Sequence, residues 1–227
     1  MLSRILPVAL IATLALSACA APAPVASPSA AAASSSSAPS PTSTPEPEPV
    51  PAELVVLNVG VQLYDSAGTE IGAFAWADEA PRALEVLELA FGAPVSTGLI
   101  PGEGAHTADY ETYTFEGGVT YYTAINLEKP RNEFHAPSIV RVDPSTDDVD
   151  VTIRTPQGLE VGGTQAEVLA LSPVANRRHM LGTVYLIDPV DPSLVSAPED
   201  STDTIGIIVD AGGVIVQIMT PFPTNPL

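Results

Sequence analysis

Cysteine occurs once in this chain of 227 residues, at Cys19. No disulfide can form within the chain, and thiol catalysis or a cysteine-based metal cluster is excluded from everything downstream. A fold held by its core alone is therefore expected, and the portion after residue 52 is long enough to bury one. Basic residues are also few: 8 Lys and Arg face 27 Asp and Glu, a net charge of −19 that becomes −20 once Arg4 is removed. Such a field repels polyanions, which argues against nucleic acid as a partner and against direct contact with anionic lipid headgroups. Long apolar runs are absent as well, since the run over residues 5–16 contains Pro7 and falls below the ~20 residues that a spanning helix needs. No G-x-S-x-G elbow, H-E-x-x-H pair, S-x-x-K motif or phosphate-binding glycine loop is found, and the single Lys129 stands beside Pro130. His106, His135 and His179 lack metal-ligand spacing. The carboxylates are too numerous for any pair to be nominated as acid and base. The expectation is a chain without enzymatic activity, cofactor or metal.

What is present begins at the amino terminus. A charged start at Arg4, an apolar segment over 5–16 and small residues before a cut make an export signal. The stretch Leu16-Ser17-Ala18-Cys19 resembles the lipobox of bacterial lipoproteins, in which a Leu and small residues precede a Cys. The resemblance implies a diacylglycerol thioether on the Cys19 sulfur, cleavage before Cys19 and an amide-linked acyl chain on its new amino group. Each buried methylene adds about 0.8 kcal/mol, so two or more chains hold a protein on a bilayer where one holds it only marginally. The chain is thus read as lipid-anchored at the extracytoplasmic face of the cell membrane. Residues 1–18 are the signal peptide, and 19–52 are the lipidated Cys and a linker. The linker is almost entirely Ala, Pro, Ser and Thr, ending in Pro45-Glu46-Pro47-Glu48-Pro49-Val50-Pro51. Lacking large apolar side chains, it reads as a disordered stalk, reaching on the order of 100 Å if fully extended at ~3.1 Å per residue.

The remainder reads as α+β, an antiparallel sheet packed by two helices. Residues 54–64 and 69–76, around Asp65-Ser66-Ala67-Gly68, form a strand, turn and strand. A helix follows, with Asp78 as N-cap, Pro81 in the first turn, Ala80, Leu84, Leu87 and Phe91 on its buried side, and Gly92 with Pro94 ending it. Residues 109–116 and 119–125 make a hairpin closed by Gly117-Gly118, a two-residue turn. That turn places Tyr113 opposite Tyr122 and Phe115 opposite Thr120, gathering three aromatics on one face of a chain poor in them. They are either a core patch or an exposed platform of the kind that anchors a protein partner. Two further strands, 138–142 and 149–154, flank a loop in which Asp143, Ser145 and Asp147 alternate as calcium ligands do. Asp148 holds the place of the EF-hand glycine and Arg154 that of the closing acid, so a solvated turn is expected. Thr164-Gln165-Ala166-Glu167 is a capping box that opens a short helix, with Val168 and Leu171 buried and Pro173 as its stop. Arg177-Arg178-His179 reads as a basic loop, the one such cluster, open to an anionic ligand or to screened ion pairs. Strands over 183–187, 204–209 and 214–219 complete the chain, the last two joined through Asp210-Ala211-Gly212-Gly213.

Both halves run strand, helix, Pro and then a hairpin on paired glycines, so residues 53–150 and 151–227 are read as two α+β modules of an internal repeat. The stretch 158–168 resembles exported actinobacterial proteins of unknown function. The helix-then-sheet order resembles the tandem modules of the β-lactamase inhibitor protein family and of small outer-membrane assembly lipoproteins. The domain lacks the cysteines of the secreted inhibitors. The repeat architecture and the aromatic hairpin point to a binding module for an envelope or secreted protein, with Tyr113, Phe115 and Tyr122 from the hairpin and Arg177 and Arg178 from the basic cluster as candidate contacts. A small-molecule or ion-binding sensor is the alternative, and an unrecognised hydrolase a third.

Overall fold

The computed structural model describes residues 48–102, 108–125, 137–147, 149–192 and 202–223. The signal, Leu16, Ser17, Ala18 and Cys19, the stalk up to residue 47, and His106, Lys129, His135 and Asp148 lie outside these residues. Residues 46–227 belong to one compact unit.

The unit is α+β and dominated by sheet. Its first strands are β1 (Pro51–Val56), β2 (Gly60–Asp65) and β3 (Glu70–Ala75), followed by α1 (Ala80–Phe91). The expected single strand over 54–64 is thus two antiparallel strands. The turn between them is held from far along the chain. Thr220 donates its hydroxyl to the Leu57 carbonyl (2.6 Å), the Trp76 indole donates to the Asn58 carbonyl (2.8 Å), and the Asn58 amide donates to the Asp188 carbonyl (2.7 Å).

Helix α1 starts where Pro81 is tolerated, because the first-turn N–H groups have no intrahelical partner. Its N-cap is Glu79, without a side-chain cap, while the Asp78 carboxylate instead accepts the Ala75 amide at 2.8 Å. Gly92 closes it, its N–H reaching the Glu88 carbonyl at 2.8 Å. The buried stripe is Ala83, Val86 and Leu87, with Ala80, Leu84 and Phe91 packed at its margin.

Then come β4 (Ser96–Ile100), β5 (Asp109–Thr114), β6 (Val119–Ile125), β7 (Ser138–Val142) and β8 (Thr152–Arg154). Helix α2 (Gln165–Ala170) follows, with the capping box of Thr164 and Glu167 intact. Hydrogen bonds from Thr164 depress the Glu167 carboxyl pKa. Val168 is buried, but Leu171 is the C-cap and exposed. The last strands are β9 (Ala175–His179), β10 (Gly182–Ile187), β11 (Asp203–Val209) and β12 (Ile215–Pro223). The segment read as a basic loop is therefore a strand, with Arg177 paired to Val184 and Arg178 to Thr183.

Among the described residues two sheets form, ordered β3-β2-β1-β8 and β4-β5-β6-β7-β12-β11-β10-β9. Strand β8 pairs parallel to β1, and β7 pairs with β12, so strands from both expected modules meet in each sheet. The paired glycines are not equivalent within the large sheet. Gly117-Gly118 joins the second and third strands of the run β4 to β7, whereas Gly212-Gly213 joins the third and fourth of the run β9 to β12.

One main core fills the space between the sheets. Leu54, Val56, Val61, Leu63 and Phe74 come from the small sheet, Val86 and Leu87 from α1, and Val168 from α2. Opposed residues Val119, Val142, Ile218, Ile207 and Tyr185 supply a row across the large sheet. Residues directly opposite in paired strands share a face, so the facing row is equally defined: Ser96, Thr114, Thr120, Arg141, Met219, Gly206, Leu186 and Ala175.

Candidate functional site

That second row lies on the face of the large sheet away from the main core. Its own apolar cluster (Val184, Leu186 and Ile208, flanked by Ala175, Val216 and Phe222) is drawn from the large sheet's strands alone. Among the described residues, no helix and no second sheet contributes to it.

The turn after β5 decides which aromatics reach this face. The hairpin closes through three residues, Glu116, Gly117 and Gly118, with the Phe115 N–H donating to the Val119 carbonyl at 2.8 Å. Two were expected. The extra residue shifts the register by one, so Tyr113 faces Tyr121 and Tyr122 faces Thr112. Because side chains alternate with a period of two, that shift sends Tyr122 to the opposite side from Tyr113 and Phe115. The expected three-aromatic platform therefore does not form. Phe115 is 1% exposed, its ring 6.3 Å from that of Phe91 in the core. Tyr113 is half-buried beside Tyr121 and donates its hydroxyl to Glu111 at 3.0 Å. Burial, and then Glu111, hold its phenol above the usual range.

Tyr122 instead joins a polar network on the face away from the main core. The residue is 8% exposed, with the Arg141 guanidinium 5.4 Å from its ring centroid and Tyr110 edge-on at 6.5 Å. Arg141 donates from Nε to Asp143 at 2.7 Å, and Gln217 donates to the other Asp143 oxygen at 2.6 Å. Burial raises the Tyr122 phenol, a shift that Arg141 partly offsets. The network joins β5, β6 and β7 to β12. At the far end of the same face, Arg177 stands 5.2 Å from the centroid of Phe222. Burial lowers its pKa. Each half of the sheet thus presents one arginine over one aromatic ring, an arrangement worth ~0.5–2 kcal/mol depending on desolvation. Arg178 alternates to the opposite side of β9 and is exposed.

Sequence reasoning missed Tyr110, Arg141 and Gln217. A signal exists for the first two: Tyr110, Thr112 and Thr114 alternate along β5, and Arg141 stands between Val140 and Val142, the mark of an outward position.

A concavity of about 480 Å³ opens where the segment after β7, the loop after β8 and the start of β12 meet. Val142, Val151, Ile153 and Val161 line it, with Asp143, Asp147 and Glu160 as its acids. Asp143 is engaged by Arg141 and Gln217, and Ser145 donates to Asp147 at 2.8 Å. Among the described residues, no group of three or more His, Cys, Asp or Glu could hold a metal ion. No helix among them is long and apolar enough to cross a membrane.

Comparison with protein-family models, with curated proteins and with solved structures finds no match for this chain.

Proposed function

We propose that the chain is a lipid-anchored extracytoplasmic lipoprotein whose folded unit is a noncatalytic protein-binding module of the cell envelope. The observation that carries the binding reading is the pair of arginine–aromatic stacks on the face of the eight-stranded sheet away from the main core. Aromatic and arginine side chains are the residues that most often dominate binding energy at interfaces. The anchor reading rests on the lipobox and the single Cys19. The repeat reading has partial support in strand order: α1 precedes a four-strand run, β4 to β7, and α2 precedes another, β9 to β12.

Two experiments test this. Native protein is expected to partition into detergent and to carry the mass of a lipidated Cys19, and Cys19→Ala to leave the detergent phase. An unmodified thiol at that position would remove the anchor. For the module, chemical crosslinking in envelope extracts is expected to recover a specific protein. Its affinity should fall tenfold or more in Arg141→Ala and Tyr110→Ala, with thermal unfolding recorded for both. Unchanged affinity in both folded variants rejects this face as the binding surface.

A small-molecule or ion-binding sensor is the second reading, and the 480 Å³ concavity favours its small-molecule form. A thermal-shift panel of metabolites and metal ions separates the two, since a ligand of the native state raises the melting temperature by mass action. A flat response removes the sensor.

A further inference from the structure

The four sheet edges are not defended alike. Edge strands expose unpaired N–H and C=O groups, and proteins commonly blunt them with charges. In the small sheet, β3 carries Glu70, and β8 carries Arg154 in an ion pair with Glu53. In the large sheet, β9 carries Arg177, Arg178 and His179. Strand β4, Ser96-Thr97-Gly98-Leu99-Ile100, carries no ionisable side chain, and all five residues are exposed. Val95 just before it is 61% exposed, and Leu99 and Ile100 are 60% and 47% exposed. Alternate residues of β4 bond β5, which leaves the rest with backbone donors and acceptors directed outward.

We propose that β4 is a docking edge on which a partner protein adds an extended, positively charged segment as a ninth strand of the large sheet. The proposal rests on the protein-binding reading and names the partner's chemistry and place. Main-chain hydrogen bonds supply affinity in such strand addition, and alternate side chains supply specificity. Apolar residues in the added strand would lie beside Leu99 on one face and Ile100 on the other. Charge selects the occupant. The sequence from Glu79 to Ile125, which contains α1, β4, β5 and β6, holds seven carboxylates and one arginine, and that Arg82 is already paired with Glu85 at 2.8 Å. A segment with lysine or arginine at its ends is drawn to this field, whereas a second copy of a chain of net charge −19 is repelled. Pro94 and Pro101 frame the strand and keep the pairing short, well below the area a stable dimer buries.

The test uses the folded protein and three synthetic peptides: Lys-Ile-Thr-Val-Thr-Ile-Lys, its twin with Glu at both ends, and the Lys form N-methylated at alternate amides. The Lys peptide is expected to bind by fluorescence anisotropy and to slow amide hydrogen exchange in residues 96–100, while the Glu and N-methylated peptides bind at least tenfold more weakly. Leu99→Lys, at an exposed position, should abolish Lys-peptide binding with the melting temperature unchanged, and Leu99→Asp should retain charge attraction and lose less. Failure of the Lys peptide to bind overturns the proposal, as does equal binding of the Glu or N-methylated peptide, protection elsewhere than β4, or a concentration-dependent dimer that Leu99→Lys dissociates. If a crosslinked envelope partner still binds Leu99→Lys normally, the docking edge is wrong while the protein-binding reading stands. If no envelope partner exists, that reading fails whatever the peptides do.

Discussion

Gly118→Ala is expected to cost on the order of 3 kcal/mol or more, among the largest effects of any single-atom-scale change in this protein. Gly118 has φ +78°, and a Cβ there would stand 2.2 Å from the Asp143 carbonyl oxygen. That contact is with backbone, so no side chain can turn aside. The Asp143 amide also donates to the Gly118 carbonyl at 3.0 Å, tying the β5–β6 turn to the chain leaving β7. Relief of the clash would break this tie and loosen the Arg141–Asp143–Gln217 network beside it. Gly68 is the control: its φ is the same, +78°, but a Cβ there meets nothing within 4 Å. Gly68→Ala should therefore cost only the ~1–2 kcal/mol of the left-handed backbone. Urea denaturation of the two variants gives the comparison, and equal midpoints would contradict the structural account of the turn.

Phe115→Ala is expected to destabilise by about 3–5 kcal/mol, the range for deleting a buried aromatic. The ring is 1% exposed, lies 6.3 Å from the ring of Phe91 and is the last residue before the turn. The loss should appear as a lower melting temperature and denaturation midpoint. A loss below 1 kcal/mol would mean that Phe115 lies on the surface, as the two-residue turn would allow for the platform. Together the two variants test the register of the hairpin, one through the backbone and one through packing.

That register shows where sequence reasoning stopped. Tyr113, Phe115 and Tyr122 were legible as an aromatic group on a hairpin, and the hairpin exists over nearly the expected residues. One more residue in the turn placed Tyr122 on the other side of the sheet, next to Arg141. Two glycines in succession permit turns of more than one length, and the three-residue solution places Phe115 and Val119 together over the core. The edge strands were hidden for a different reason. Strand β4 buries neither face, so it has no apolar–polar alternation to read, and in β9 the alternation is carried by Asn and Arg. Helix α1 was legible because its signals are local: Pro81, the apolar spacing and Gly92 lie within about four turns of one another. Even there the buried stripe turned toward Ala83 and Val86, because the small sheet against which it packs sets which side faces inward.

The residues alone determined the acidity, the absence of internal disulfides, the two helices with their stops, the Thr164–Glu167 cap and most of the strands between residues 109 and 219. Each depends on neighbours a few positions apart, where turn chemistry, capping and periodicity act. The tertiary structure decided that β8 joins β1, that β7 meets β12, that the turn after β1 is held by Trp76, Asp188 and Thr220, and that Tyr122 and Arg141 share the face away from the main core. Those outcomes rest on pairings between residues tens to more than a hundred positions apart. Their choice is made by which faces bury together, a quantity that no local window of sequence contains.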